Sequence, residues 1–263
     1  MNKSQPIGIF DSGVGGTSIW KEIHELLPNE HTIYLSDSKN APYGLKTQEE
    51  IIALSIKNTE KLLELNCKLI VIACNTATTN AIKVLRSSYR IPFIGIEPAI
   101  KPAALKSTNK AIGILATRGT LSSELFAQTS ELYTKDIQVV EVEGNGLVEL
   151  IEAGKTNTPE MIGLLQHLLK PMLDARIDYL VLGCSHYPYL IPVLQEILPD
   201  TVKIIDSGEA VAKQTKIILA ERDLLNDNPE DSSNLFFSNA NPYVLSSIIS
   251  SEEQNYKVET LDF

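Results

Sequence analysis

The chain is too poor in cysteine to carry a disulfide framework. It has three, an odd number set far apart at Cys67, Cys74 and Cys184, where a disulfide scaffold needs an even, closely spaced set. No apolar run reaches the roughly 18 residues that span a bilayer, and no basic-then-apolar opening marks a signal peptide. A cytoplasmic protein with reduced thiols and no membrane partner is expected. Basic residues are also scarce, with 23 Lys plus Arg against 33 Asp plus Glu, for a formal charge of −10. Sequence-independent nucleic-acid binders depend on clustered Lys and Arg. Only scattered basic pairs occur here, so no nucleic-acid partner is expected, and the acidic surface reads as a solubility device.

What is present is the material of a core. Apolar residues make up 43% of 263 positions, ordinary for a globular protein of one large or two smaller α/β domains. Short apolar runs alternate with amphipathic stretches from end to end. PIGIFDSG reads as a strand and glycine turn, TSIWKEIHELLP as a helix, TIYLSD as a strand. TQEEIIALSIKNTEKLLELN is a helix opened by a capping box, Thr47 with Glu50. KLIVIAC is a buried strand, with a helix near Thr79 to Tyr89 after it and then the strand PFIGIE. TPEMIGLLQHLLKPML has Thr158 as cap and Pro159 at the first helical position. Such alternation predicts mostly parallel sheets covered by helices. NDNPEDSSN, Asn226 to Asn234, reads as an exposed loop.

The chain also resembles itself. IGIFDSGVGGTSIWKEI shares its grammar with IGILATRGTLSSELFAQ, and KLIVIACNTATTNAIKVL with DYLVLGCSHYPYLIPVL. The two pairs recur at offsets of about 105 and 110 residues, as one unit used twice would. Cys74 and Cys184 each end a strand, one per half. In open α/β sheets the strand ends carry the chemistry, so if the halves face each other, two thiols approach one cleft from opposite sides.

Two equivalent bases on opposite faces suit inversion of a carbon centre. One thiolate removes a proton, the opposite thiol returns one, and the roles exchange in the reverse direction. Helix N-termini after each thiol would lower its pKa. Asn75, Thr76, Ser185 and His186 add donors, and Asp11 or Glu152 could pair with a base. Cys67, with no polar cluster around it, reads as a small buried hydrophobe. FDSGVGG is either a plain tight turn or a carboxylate-binding loop, and APYG puts a Tyr hydroxyl beyond another strand end.

DSGVGG, the DS…PYG pattern at Asp37 to Gly44, ACNTAT, GIEPA and GCSHYP together closely resemble the glutamate racemases of the cofactor-independent aspartate/glutamate racemase superfamily. The resemblance runs from about Ile7 to KVETLDF. It implies interconversion of L- and D-glutamate, with D-glutamate supplied for peptidoglycan, by a homodimer needing no cofactor or metal. It implies Cys74 as the base for the D-isomer and Cys184 for the L-isomer, with Asp11 and His186 assisting and Asp37 and Glu152 as auxiliary candidates. Asp11, Ser12, Tyr43, Gly44, Asn75, Thr76, Ser185 and His186 match positions that hold the substrate, and Thr117 and Thr120 are further candidates. It also implies two similar parallel-sheet α/β domains related by a pseudo-two-fold repeat and facing each other across a cleft. Their expected extents are 1–96 plus 205–263 and 97–204. Ser185 stands where most relatives have Thr, and Asn40 replaces an Arg common before PYG.

Other readings remain. An aspartate racemase shares the two-cysteine plan. A non-catalytic amino-acid-binding protein has no need of matched thiols. A metal site from Cys74, Cys184 and His186 lacks the usual ligand spacing, and a thiol-disulfide enzyme usually carries its pair in one short motif.

Overall fold

The computed structural model describes residues 1–228, 232–250 and 256–263. Its strands, in chain order, are β1 (Ile7–Asp11), β2 (Thr32–Ser36), β3 (Leu69–Ile72), β4 (Phe93–Gly95), β5 (Ala111–Ala116), β6 (Gln138–Glu143), β7 (Tyr179–Gly183), β8 (Lys203–Ile205), β9 (Asn234–Ser238) and β10 (Tyr256–Thr260). They form two sheets, in the orders β10-β9-β2-β1-β3-β4 and β6-β5-β7-β8. Every pairing is parallel. Helices cover both faces, which is why β1, β3 and β7 are buried along their whole length and read as near-continuous apolar runs.

The internal repeat is visible in strand order. β2-β1-β3-β4 of the first sheet corresponds, strand for strand, to β6-β5-β7-β8 of the second. β1 and β3 lie side by side just as β5 and β7 do. The first sheet is then extended by β9 and β10, which belong to the chain's return. Two parallel-sheet α/β domains result.

Alternation along each strand divides the core. Ile9 and Val71 of the first sheet and Leu115 and Leu182 of the second belong to a single apolar cluster running through both domains. Phe10, Ile70 and Ile72 face a second cluster, and Ile112, Ile114 and Val181 a third. The helices that matter for the site are α1 (Thr17–Leu26), α2 (Gln48–Glu64) and α3 (Asn75–Ser88). The capping box of α2 is complete, Thr47 and Glu50 each serving the other's backbone. Thr158 caps helix Pro159–Asp174.

The two passages between domains are tied together. The Ser207 hydroxyl donates to the Glu97 carbonyl. Near the start of the chain, buried Lys68 bonds Glu30 at 2.5 Å and the Leu224 carbonyl at 2.9 Å. Glu30 in turn accepts the Asn226 N–H at 2.9 Å. Asn226 and Asn234 are thus anchored, one on Glu30 and one as the first residue of β9. They bound the segment expected to be an exposed loop, of which residues 229–231 lie outside the described residues. Among the described residues no helix is long and apolar enough to cross a membrane.

Candidate active site

Both thiols sit where the repeat puts them, just past the carboxyl ends of β3 and β7. The two ends are built differently. Helix α3 begins at Asn75, four residues earlier than its periodicity predicts, because Cys74 is its N-cap. The Cys74 Sγ accepts the Ala77 N–H at 3.4 Å and lies 3.7 Å from the Ser12 hydroxyl. After β7 the chain turns through a short 3-10 helix, Tyr187–Leu190. There Cys184 Sγ lies 3.7 Å from Nδ1 of His186.

His186 continues the chain of contacts. Its Nε2 is 2.6 Å from Glu152 Oε1. That carboxylate also accepts the Val14 N–H at 2.6 Å and, on Oε2, the Ser38 hydroxyl at 3.0 Å. The glycine-rich turn therefore does hold a carboxylate, and it is the chain's own, from the opposite domain. Its glycines are required by that approach. A Cβ on Gly13 would fall 1.8 Å from Glu152 Oε1, and one on Gly15 would fall 2.2 Å from His186 Nδ1.

Asp11, at the end of β1, is fully buried. Its Oδ2 accepts the N–H groups of Gly13 and Gly16 at 3.2 and 3.0 Å, and its Oδ1 accepts the Ser185 hydroxyl at 3.0 Å. Nδ1 of His186 is 3.9 Å away. Ser18 of α1 donates to the Ser185 carbonyl at 2.9 Å, and Thr17 contacts the Tyr189 hydroxyl. Residues of both domains thus interlock around the two thiols, which are only 4% and 7% exposed.

Three hydroxyls gather beside Cys74. Thr76 Oγ1 is 2.8 Å from that of Thr117 and 3.2 Å from that of Thr120, which are 3.1 Å from each other. Asn80 holds them in place by donating to the Gly119 carbonyl at 2.9 Å. Asn75 is buried, and neither side-chain polar atom has a hydrogen-bond partner among the described residues. Tyr43 turns inward, its hydroxyl donating to Asp37 and accepting from Asn58 at 3.0 Å. Gly44 packs against Thr117, leaving room for no side chain. Asp37 is bonded by Tyr43, Asn40 and Asn239 and faces Lys57. No hydrogen bond links it to either thiol.

Burial acts on Asp11, Cys74, Glu152 and His186 alike, and the hydrogen bonds each makes oppose it. It drives the Cys74 thiol above its ordinary range, and the charges of Asp11 and Cys184 add to this against the Ala77 N–H and Ser12. The direction is opposite to that expected from a helix N-terminus, because desolvation of a closed site outweighs one N–H. Asp11 is raised by burial, with His186 acting against it. Burial opposes the charge on His186, but its bonds to Cys184 and Glu152 and the charge of Asp11 win, holding the imidazole well above its usual range. Burial likewise opposes ionisation of Glu152, and the contacts from His186, Val14 and Ser38 outweigh it, holding the carboxyl low. Cys67, with burial alone acting, is raised to about 12.

Ser38, Asn58, Lys57, Asn80 and Asn239 were not legible as site residues. Ser38 had the one usable signal, its place between Asp37 and PYG. A shallow cavity sharing Gly44 and Thr117 with the site is lined also by Leu45, Arg118 and Glu143. Among the described residues no group of three or more His, Cys, Asp or Glu side chains could hold a metal ion.

The family model described as Asp/Glu/Hydantoin racemase matches residues 7–215. A glutamate racemase of Ectopseudomonas mendocina is 46% identical over 231 residues, 87% of this chain and 88% of its own. Among solved structures, a glutamate racemase isoform of Bacillus anthracis superposes with a TM-score of 0.87 at 29% identity, covering 100% of this chain and 99% of the other. The Escherichia coli glutamate racemase, in complex with L-glutamate and the activator UDP-MurNAc-ala, does so with a TM-score of 0.87 at 32% identity over 98% of both chains.

Proposed function

Since the chain belongs to the Asp/Glu/Hydantoin racemase family, and is thus an isomerase, we propose that it interconverts L- and D-glutamate with Cys74 and Cys184 as opposed bases. The observation that carries this reading is the pair of thiols at corresponding strand ends of two repeated sheets, each buried and each beside polar side chains, Ser12 at Cys74 and His186 at Cys184. The substrate's Cα stands between them. One sulfur takes the α-proton as thiolate, and the other delivers a proton to the opposite face.

The carbanion formed between these steps spreads its charge into the α-carboxylate, which needs donors fixed before the reaction. Asn75, with a buried and unpartnered amide, supports that role, and Ser12 and Ser185 stand beside the thiols. The Thr76, Thr117 and Thr120 hydroxyls suit the distal carboxylate. At present they satisfy one another, and each can turn to donate outward. Gly44 brings a bare peptide against this group. His186 is the proton partner of Cys184 and Asp11 the charge between the two halves, with Glu152 and Asp37 acting through His186 and Tyr43. Cys74 serves the D-isomer and Cys184 the L-isomer.

The same reading makes the protein a cytoplasmic, cofactor-free homodimer that supplies D-glutamate for peptidoglycan. Its E. coli relative's activator, a MurNAc nucleotide, supports the link to the cell wall. The test is purified protein with each glutamate isomer in heavy water, without added cofactor, with both aspartate isomers alongside. Loss of optical activity from both glutamates, with deuterium at Cα, is expected. Inversion of aspartate alone would keep the chemistry and overturn the substrate.

A further inference from the structure

We infer that Asn239, at the tip of the returning strand β9, is a positioning residue for the loop that carries Ser38, Tyr43 and Gly44 into the active site. The inference rests on the racemase reading of that site. β9 pairs with β2 so that Ser238 stands opposite Ser36. The next residues of the two strands, Asn239 and Asp37, therefore meet at the carboxyl end of the sheet.

Asn239 directs both side-chain polar atoms and its backbone N–H to this segment. Its Nδ2 donates to Asp37 Oδ1, its Oδ1 accepts the Lys39 N–H at 2.9 Å, and its backbone N–H reaches the Ser36 carbonyl at 3.3 Å. Asp37, fully buried, passes this hold along. Its Oδ1 also takes Asn40 Nδ2 at 2.8 Å, and its Oδ2 takes the Tyr43 hydroxyl.

Two arms leave the clamped segment. Through Ser38 it reaches Glu152 Oε2 at 3.0 Å, and so His186 and Cys184. Through Tyr43 it fixes Gly44 against Thr117, beside the threonine hydroxyls. An amide offers a separate donor for the carboxylate and acceptor for the adjacent N–H, held in one plane. The strand that has no counterpart in the second sheet thereby sets the geometry of both halves of the site.

The test compares wild type, Asn239→Ala, Asn239→Asp and the exchanged pair Asp37→Asn with Asn239→Asp. The first two substitutions are expected to lower kcat/KM about 10- to 100-fold, as small misplacements of reacting groups do. Asn239→Asp, which sets carboxylate against carboxylate, loses more. The exchanged pair restores a donor facing a carboxylate and recovers most of the loss. Iodoacetamide labelling followed by mass spectrometry supplies a readout that needs no turnover. Asn239→Ala is expected to speed labelling of Cys184 and leave buried Cys67 unchanged.

Unchanged kinetics and unchanged Cys184 labelling in folded Asn239→Ala would overturn the inference. So would equal acceleration at Cys67, which reports general loosening, or failure of the exchanged pair to recover while folded. If wild type itself leaves glutamate untouched, the racemase reading fails, and the labelling comparison still decides the role of Asn239.

Discussion

Glu152 Oε1 is shared between two partners from opposite sides of the cleft, the imidazole of His186 and the N–H of Val14, each at 2.6 Å. The first is in its own domain and the second in the glycine turn of the other. One oxygen thus orients the imidazole beside Cys184 and ties the two domains together.

Glu152→Gln keeps the shape of this contact and removes the charge that sustains a protonated imidazole. The expected result is a fall in kcat of about 100-fold, at the low end of general acid–base assistance, with KM little changed. Steady-state kinetics with both isomers checks it. A rise in KM alone would make the residue a simple brace.

Each thiol can be silenced separately. In Cys184→Ala, Cys74 still lifts and returns the α-proton of D-glutamate, so that isomer is expected to exchange into heavy water without inverting, while L-glutamate stays inert. Cys74→Ala gives the opposite pattern. Proton NMR with polarimetry reads both, and racemisation surviving in either variant would end the two-base mechanism.

Gly13→Ala places a methyl where Glu152 now stands, at 1.8 Å from its Oε1. Activity is expected to fall about 100-fold or more through displaced proton-transfer groups. Gly163, which has nothing within 4 Å of a built Cβ, is the control at which Ala should be harmless.

Stability should depend on pH through His186 and Glu152. The raised imidazole stabilises the fold fully below its ordinary value of about 6.5 and less as pH climbs through the elevated folded value. The lowered Glu152 carboxyl acts in the other direction, stabilising above its ordinary value and losing this as pH falls through the depressed folded one. Wild type should therefore exceed His186→Gln in urea midpoint by more at about pH 6 than at about pH 10. A constant gap would mean the imidazole carries no extra charge in the folded state.

Lys68→Met strands the Glu30 carboxylate in the interior. A loss of about 3–5 kcal/mol is expected, typical of breaking one side of a buried pair, and urea denaturation measures it. Lys68→Met combined with Glu30→Gln should recover part of that loss.

The alternation of strands and helices, the Thr47 and Thr158 caps and the duplicated plan were all legible because they depend on local periodicity and turn chemistry. The start of α3 was not, since Cys74 caps it and cysteine is no habitual cap. The direction of the Cys74 pKa was not, because it depends on how completely the domains close over the thiol. The glycine turn showed its ability to hold an anion, but not that Glu152, far along the chain, supplies one. Asn239 gave no signal at all. Its importance comes from the pairing of β9 with β2, a contact between residues some two hundred positions apart.

The repeat carries a thermodynamic consequence as well. Mirror-image substrates have equal free energy, so the equilibrium constant between them is unity and kcat/KM must be the same in both directions, whatever the protein does. Yet the two halves of the site are unlike, with Ser12 and a helix cap at Cys74, an imidazole–carboxylate pair at Cys184, and β9 and β10 added to one sheet only. The asymmetry can appear only as compensating differences in kcat and KM. Any factor by which KM differs between the two hands is matched by the same factor in kcat.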